Sequence, residues 1–326
     1  MKWKYLLLAV LMGWGFPWLI LSVARIRQPS PKETADLISA ETGAIDTRQE
    51  LVQDNTVIPV HMDDGSVVCM ELEQYLCGVV LGEMPADFEA EALKAQAVVA
   101  RTYTLKHHLS QQKHPDGGLC TDYTCCQAYC TEQAYLDAGH TQAQLDKVRQ
   151  AVAETQSLVL SYEGNLIDAT YFSCSGGKTE DAMAVWGTEV PYLQSVDSPG
   201  EESAKHYVDT VTFSLREFRQ KLDAPLSGAP ENWLGEITYT DGGGVDTLEL
   251  GGTVYSGTEL RSLLGLRSTA FYMTVLGDTV TVTTKGFGHR VGMSQYGAEA
   301  MAVKGGTFTE ILAHYYPGTT LQTWHE

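Results

Sequence analysis

Apolar residues run along this chain in three rhythms: one unbroken block, several strict alternations and a few helical repeats. The block is Tyr5 to Ala24, which carries no charged residue. It is long enough to cross a bilayer, for which about 20 apolar residues suffice. A cleaved signal peptide has a shorter apolar core and a clear small-residue cleavage site. Ser22-Val23-Ala24 is only a weak candidate for one, so residues 1–27 are predicted to form an uncleaved transmembrane signal anchor. Residues 28–50 are polar, contain Pro29 and Pro31, and read as a tether.

Residues 56–72 alternate as a hairpin with Asp64-Gly65 at its turn. Tyr75 to Leu81 is a short apolar run interrupted by Gly78, suited to a buried turn or short helix. Glu83-Met84-Pro85 follows. Pro85 keeps Met84 out of the α region, which puts Glu83 at a bend. Asp87 is the expected N-cap of a long helix in which Phe88, Ala92, Leu93, Ala97, Ala100 and Thr104 recur at helical spacing. Its small alanines predict close packing against neighbours.

A second amphipathic helix is expected over 141–156, capped by Thr141. A hairpin turning at Glu163-Gly164-Asn165 comes next, its second strand running from Ile167 to Phe172 into a Ser/Gly-rich loop, Ser173 to Lys178. Residues 206–280 change character: a helix (Leu215 to Leu222), alternating strands, glycine-rich turns at 242–244 and 251–252, and a short helix (Thr258 to Leu264). A glycine-rich loop from Gly286 leads into a helix near Ser294. The fold class is therefore α+β: a mixed, two-lobed domain over 51–322, with a lobe at about 205–280 framing a cleft and one transmembrane helix before it.

Charge narrows the partners. The chain has 41 acidic and 22 basic residues, net −19, which excludes nucleic acid and disfavours anionic membrane surfaces. An anionic substrate would need local positive charge in the cleft.

Three groups of residues carry candidate chemistry. Glu83 is the first: burial would disfavour its ionised form and raise its pKa, as a general acid requires. The plainer alternative is a helix N-terminal carboxylate interacting with the dipole. The second is His114, Cys120, Cys125 and Cys126, a His-x5-Cys-x4-Cys-Cys cluster in a loop. These ligand types suit tetrahedral structural zinc, with Cys130 as a spare ligand. A Cys120–Cys126 disulfide is the alternative outside the cytoplasm, although seven cysteines cannot all pair. The third is Cys174 with His289, a possible Cys/His peptidase pair with no identifiable orienting residue.

Several long segments, in order, resemble the SpoIID/LytB family. They are GEMPADFEAEALKAQAVVARTY (82–103), CQAY (126–129), ATYFSCSGGKTEDAMAVWGTEVPYLQSVDSP (169–199), GFGHRVGMSQYGAEAMA (286–302) and ILAHYYPGTTL (311–321). The resemblance implies a sporulation lytic transglycosylase that cuts peptide-free glycan between MurNAc and GlcNAc, leaving 1,6-anhydro ends. Glu83 would be its acid, and Arg101, Tyr171, Ser175 and His289 would serve substrate binding; Arg290, beside His289, would add positive charge of this chain's own for the glycan. For Arg101 a glycan groove and a buried ion pair are equally expected. The backbone N–H groups near His289 to Ser294 are a further candidate anion site.

A structural zinc in the 114–126 loop is also implied, with histidine commonly where Cys125 stands. So are an extracytoplasmic location between mother-cell and forespore membranes, a SpoIIP-like amidase/endopeptidase partner and a SpoIIM-like membrane anchor protein. Arg290 departs from the family pattern GHGVGMSQ by replacing a glycine, and the 242–244 turn has glycine where a basic residue is usual. A non-catalytic amidase enhancer of the LytB type is the alternative function. A lone carboxyl fits a lytic transglycosylase better than a hydrolase, which needs two.

Overall fold

The computed structural model describes residues 56–222 and 226–325. The predicted anchor and tether lie outside the described residues, among which no helix is long and apolar enough to cross a membrane. β1 (Val57–His61) and β2 (Val67–Glu71) form the predicted hairpin. Its turn is tightened by the Asp64 carboxylate, which accepts from the Ser66 amide at 2.9 Å. The apolar run after it is a full helix, α1 (Leu72–Glu83), ended where Met84 turns extended (φ −130°) ahead of Pro85.

α2 (Ala90–Ser110) is the axis of the domain. Ala92, Ala95, Ala97, Val98 and Ala100 are all buried, so the helix is enclosed on nearly every side. Small side chains let other backbones approach closely, as their spacing predicted. Asp87 does not cap it. Glu89 holds the N-cap position without a side-chain bond, while the Asp87 carboxylate accepts from Gln144 Nε2 at 2.8 Å. A tertiary partner has outcompeted the local cap.

β3 (Leu119–Cys120) pairs parallel to β1, and α3 (Glu132–Asp137) follows. α4 (Gln142–Glu154) begins at the predicted cap, with Thr141 and Gln144 forming a reciprocal capping box. The next hairpin, β4 (Leu158–Tyr162) and β5 (Asn165–Leu166), ends earlier than its sequence suggests. After the Ile167 amide, which still donates to the Leu160 carbonyl at 3.3 Å, residues 168–170 leave the sheet, with the Asp168 amide donating to the Tyr192 hydroxyl and the Thr170 carbonyl accepting from Tyr316. The predicted strand from Ile167 is thus only β6 (Tyr171–Phe172), in a different sheet. α5 (Ala182–Trp186) is a short helix closed by Gly187 at φ 70°.

β7 (Val208–Ser214), α6 (Leu215–Leu222), β8 (Leu234–Tyr239), β9 (Val245–Leu250), β10 (Thr253–Ser256), α7 (Gly257–Leu264), β11 (Phe271–Leu276) and β12 (Thr279–Lys285) follow. They build two antiparallel sheets, ordered β10-β9-β8 and β11-β12-β7. Phe218, Trp233, Leu250, Leu260, Val280 and Val282 fill a hydrophobic cluster of their own there. The chain then returns to the first cluster through β13 (Met293–Ser294), α8 (Gln295–Val303), α9 (Phe308–Tyr315) and β14 (Thr320–Thr323). β13 pairs parallel with β6, and β14 completes a β14-β4-β5 sheet. The fold is mixed α+β, as the pattern predicts.

Candidate active site

Glu83 is the last residue of α1, at the helix end where aligned peptide dipoles disfavour negative charge. The dipole alternative, which needed an N-terminus, is thereby excluded. Gly82 beside it is required for close approach: a Cβ there would stand 2.9 Å from the Tyr129 nitrogen. Because the 128–129 backbone comes so near, the Ala128 amide donates to Glu83 Oε1 at 2.7 Å. Gln295 Nε2 approaches Oε2 at 3.4 Å, and the Tyr171 hydroxyl is also within bonding reach of the carboxylate. Burial raises the pKa of Glu83 above its ordinary value, against the pull of these three donors.

The two-residue β6–β13 ladder supplies two of the three. It sets Tyr171 opposite Met293 and Phe172 opposite Ser294. Ser294 then caps α8 by accepting from the Gly297 amide, which places Gln295 in the first turn. The Tyr171 hydroxyl donates to Gln127 Oε1 at 3.0 Å, and Gln127 Nε2 is held by Thr104 at 2.9 Å. Burial keeps the Tyr171 phenol protonated far above neutrality. Glu83 opens into a cavity of about 340 Å³ that Asp87, Tyr135, His140 and Gln144 also line. Glu89 and Glu91 face elsewhere. The Glu89 amide donates to Glu299, and Glu91 pairs with Lys94 at 2.8 Å.

Several predicted substrate residues are instead structural. Arg101 is fully buried, with Nε and Nη2 on the Glu73 carboxylate at 2.8 and 2.6 Å and the remaining donors on the Leu158 and Val152 carbonyls. Of its two expected roles, the buried ion pair is the one realised. Ser175 is buried too, donating to Glu201 at 2.9 Å.

Arg290 is 2% exposed and sits at φ 67°, a left-handed conformation that suits the glycine of the family pattern and strains an arginine. Its guanidinium bonds Glu180 at 3.0 Å and the Ser175, Lys178 and Gly242 carbonyls at 2.7 Å each. The two departures from the family pattern meet here, since the Arg290 side chain reaches the glycine turn that lacks a basic residue. No charge is left for a glycan. Some of the loop amides are also engaged: Gly288 donates to the Arg267 carbonyl at 3.0 Å, Val291 to His289 Nδ1 at 3.2 Å and Met293 to the Thr170 carbonyl at 3.1 Å.

His289 lies between Phe172 and Trp186, ring centroids 5.6 and 5.4 Å away. Burial, helped by the nearby Arg261 charge, lowers its pKa to about 4, so the ring is neutral at neutral pH. It does not meet Cys174, whose thiol points to the His206 carbonyl and is pushed up to about 12 by burial. A Cys/His nucleophile is not assembled.

The ligand atoms of His114, Cys120, Cys125 and Cys126 all fall within 4.8 Å of one another. A turn in which the Cys125 and Cys126 amides both bond the Asp122 carbonyl brings the two vicinal thiols to 3.8 Å. Cys126 Sγ is 3.7 Å from His114 Nε2. Ligands at tetrahedral zinc distances would be separated by about 3.6–3.8 Å, so the donor set fits. Cys130 is outside it, its thiol on the Thr131 carbonyl.

Residues 63–162 match the SpoIID family, described as stage II sporulation protein. The chain is 42% identical to stage II sporulation protein D of Bacillus amyloliquefaciens, over 90% of this chain and 86% of that protein. It is 40% identical to that of Bacillus subtilis (strain 168), over 89% and 88%.

The chain belongs to the SpoIID family.

That family membership makes it a sporulation protein. A more distant relative, 32% identical over 76% of this chain and 40% of its own length, is the amidase enhancer of Bacillus subtilis (strain 168). Gln127, Ala128 and Gln295 are the residues around Glu83 that sequence reading did not assign. CQAY and GMSQ were recognisable as motifs, but nothing in a linear string says that their amides converge on one carboxyl.

Proposed function

We propose that this SpoIID-family protein is a lytic transglycosylase acting on peptide-free peptidoglycan strands. The observation that carries the reading is one desolvated carboxyl, Glu83, with a raised pKa at the edge of an open cavity. Protonated, it donates to the glycosidic oxygen as the C1–O bond breaks. Ionised, it takes the proton from the C6 hydroxyl of the same muramic residue, and O6 closes on C1. The proton count balances within one residue, and the intramolecular hydroxyl replaces both water and a second carboxylate.

Tyr171 suits both states. When Glu83 is ionised the phenol can donate to it, and when Glu83 is protonated the phenol donates to Gln127 and accepts from the acid. Asp87 is the nearest rival, since it lines the same cavity. Asp87→Asn should keep activity within about threefold, whereas a base or nucleophile would cost about 100-fold or more. Mass spectrometry of the products should find ends one water lighter than a reducing sugar. Reducing ends together with an inactive Asp87→Asn variant would identify a two-acid hydrolase instead.

Zinc would be held by His114, Cys120, Cys125 and Cys126 as a closed structural ion with no open position. Its contribution would be to fix the segment Cys126–Tyr129, in which Gln127 holds Tyr171 and Ala128 holds Glu83. Elemental analysis of anaerobically purified protein should give about one zinc per chain, and chelation should lower Tm and activity together, both restored by added zinc. Metal-free active protein with Cys120 and Cys126 cross-linked would rule this out. Attachment by residues 1–27, with the domain between mother-cell and forespore membranes beside a SpoIIP-like amidase and a SpoIIM-like anchor protein, belongs to the same proposal.

A further inference from the structure

A donor set fixes which metal a loop can hold, but each ligand must also be kept in place from behind. A metal-binding histidine ordinarily has its second ring nitrogen on a carboxylate or a carbonyl. His114 does not. Among the described residues its ring has one hydrogen-bonding partner, the Cys126 thiol, 3.7 Å from Nε2. What supports the ring instead is another imidazole: His61 stacks on His114, with centroids 4.5 Å apart and planes inclined by 18°.

His61 is the last residue of β1, and three contacts hold it there. The parallel β1–β3 ladder sets it opposite Cys120, another of the four donors, so both side chains stand on the same face of that sheet. The Thr121 amide, one residue on, donates to the His61 carbonyl at 3.2 Å. His61 Nε2 donates to the Asp116 carboxylate at 3.0 Å, and that carboxylate also accepts from the Gly118 amide at 3.0 Å.

Gly118 leaves the space for this arrangement, since a Cβ there would stand 2.7 Å from His61 Nε2. The loop is pinned from α2 as well, where His108 Nδ1 donates to the Gly117 carbonyl at 2.7 Å. Asp116 lies two residues after His114. The carboxylate that holds His61 and the ring that His61 covers therefore belong to one turn of chain.

We propose that His61, locked by Asp116, is the positioning residue of the metal centre built from His114, Cys120, Cys125 and Cys126. Four donors already close a tetrahedral shell, so His61 acts only through the His114 ring that it covers. This rests on the zinc reading above and adds to it the group that orients His114. It also makes β1 part of the metal unit. The ordering of that unit extends through Gln127 and Ala128 to Tyr171 and Glu83.

The test is the zinc affinity of the full chain, measured by competition with a chelator, together with the visible absorption of the cobalt(II)-substituted protein. Neither readout involves turnover. His61→Ala should weaken zinc binding about 10- to 100-fold, the usual cost of removing a group that orients a ligand. It should also shift the cobalt bands, because His114 is then free to rotate. His61→Phe keeps a stacked ring and should stay within about threefold of the unsubstituted chain, with its bands in place. That variant guards against a misfolded alanine variant. Asp116→Ala leaves the ring but removes its lock, and should fall between the two.

Unchanged affinity and unchanged bands in His61→Ala overturn the proposal while leaving the zinc reading intact. Equal losses in His61→Ala and His61→Phe overturn the stacking role. An unsubstituted chain that takes up neither metal refutes the zinc reading, and the proposal with it.

Discussion

Glu83→Gln is expected to abolish glycan cleavage, with turnover falling at least 100- to 10,000-fold, because the amide keeps the shape but cannot carry a proton. Near-normal turnover would remove Glu83 from the mechanism. The same substitution should have an unusual effect on stability. The folded pKa of Glu83 is raised, first by burial, so its protonated form is the one the fold tolerates. Its contribution is fully present below the unfolded carboxyl's pKa of about 4.3 and is lost as pH rises through the higher folded pKa. Glu83→Gln should therefore melt above the unsubstituted protein at neutral pH, and the gap should close below about pH 4. A gap that is constant with pH would mean that Glu83 is not desolvated. Such a stabilised inactive variant is the expected signature of a functional acid kept against the preference of the fold.

The largest stability loss is expected at Arg290. Arg290→Ala removes four hydrogen bonds and leaves the fully buried Glu180 with only the Thr240 hydroxyl and the Gly244 amide on its Oε1. Breaking a buried pair from one side costs about 3–5 kcal/mol, and urea unfolding would read this as a lower midpoint. Arg290→Gly should cost about 1 kcal/mol less, because φ 67° suits glycine. In a Glu180→Gln background, Arg290→Ala should cost less again, since no buried charge is abandoned. Two exposed charges would be screened by salt, whereas this pair is 2% and 1% exposed, so the loss should persist at high ionic strength. A loss under 1 kcal/mol would mean that the clamp does not hold the 175–180 segment to the 242–244 turn.

Local rules explain which features were legible in the sequence. Pro85 forces an extended Met84, and that alone makes Glu83 a helix terminus. Thr141 and Gln144 satisfy each other's backbone within one turn, so α4 starts where the pattern says. Asp64-Gly65 closes a hairpin with no help from elsewhere. The clustering of one histidine with three cysteines was legible because the four residues lie within 13 positions of sequence, His114 to Cys126, in one loop.

Long-range competition explains the rest. Asp87 looked like a cap, but Gln144 offered a better donor. Arg101 and Arg290 are conspicuous as charges in motifs, yet whether an arginine faces a ligand or a buried carboxylate depends on where Glu73 and Glu180 are folded. The sequence by itself determined most of the elements, the family and the helix end at which Glu83 stands, because helix ends, turns and apolar spacing are set by neighbouring residues. Only the tertiary structure decided that Ala128, Tyr171 and Gln295, drawn from three distant segments, converge on Glu83. Desolvation and donor geometry are properties of enclosed space, and enclosure exists only after the chain has packed.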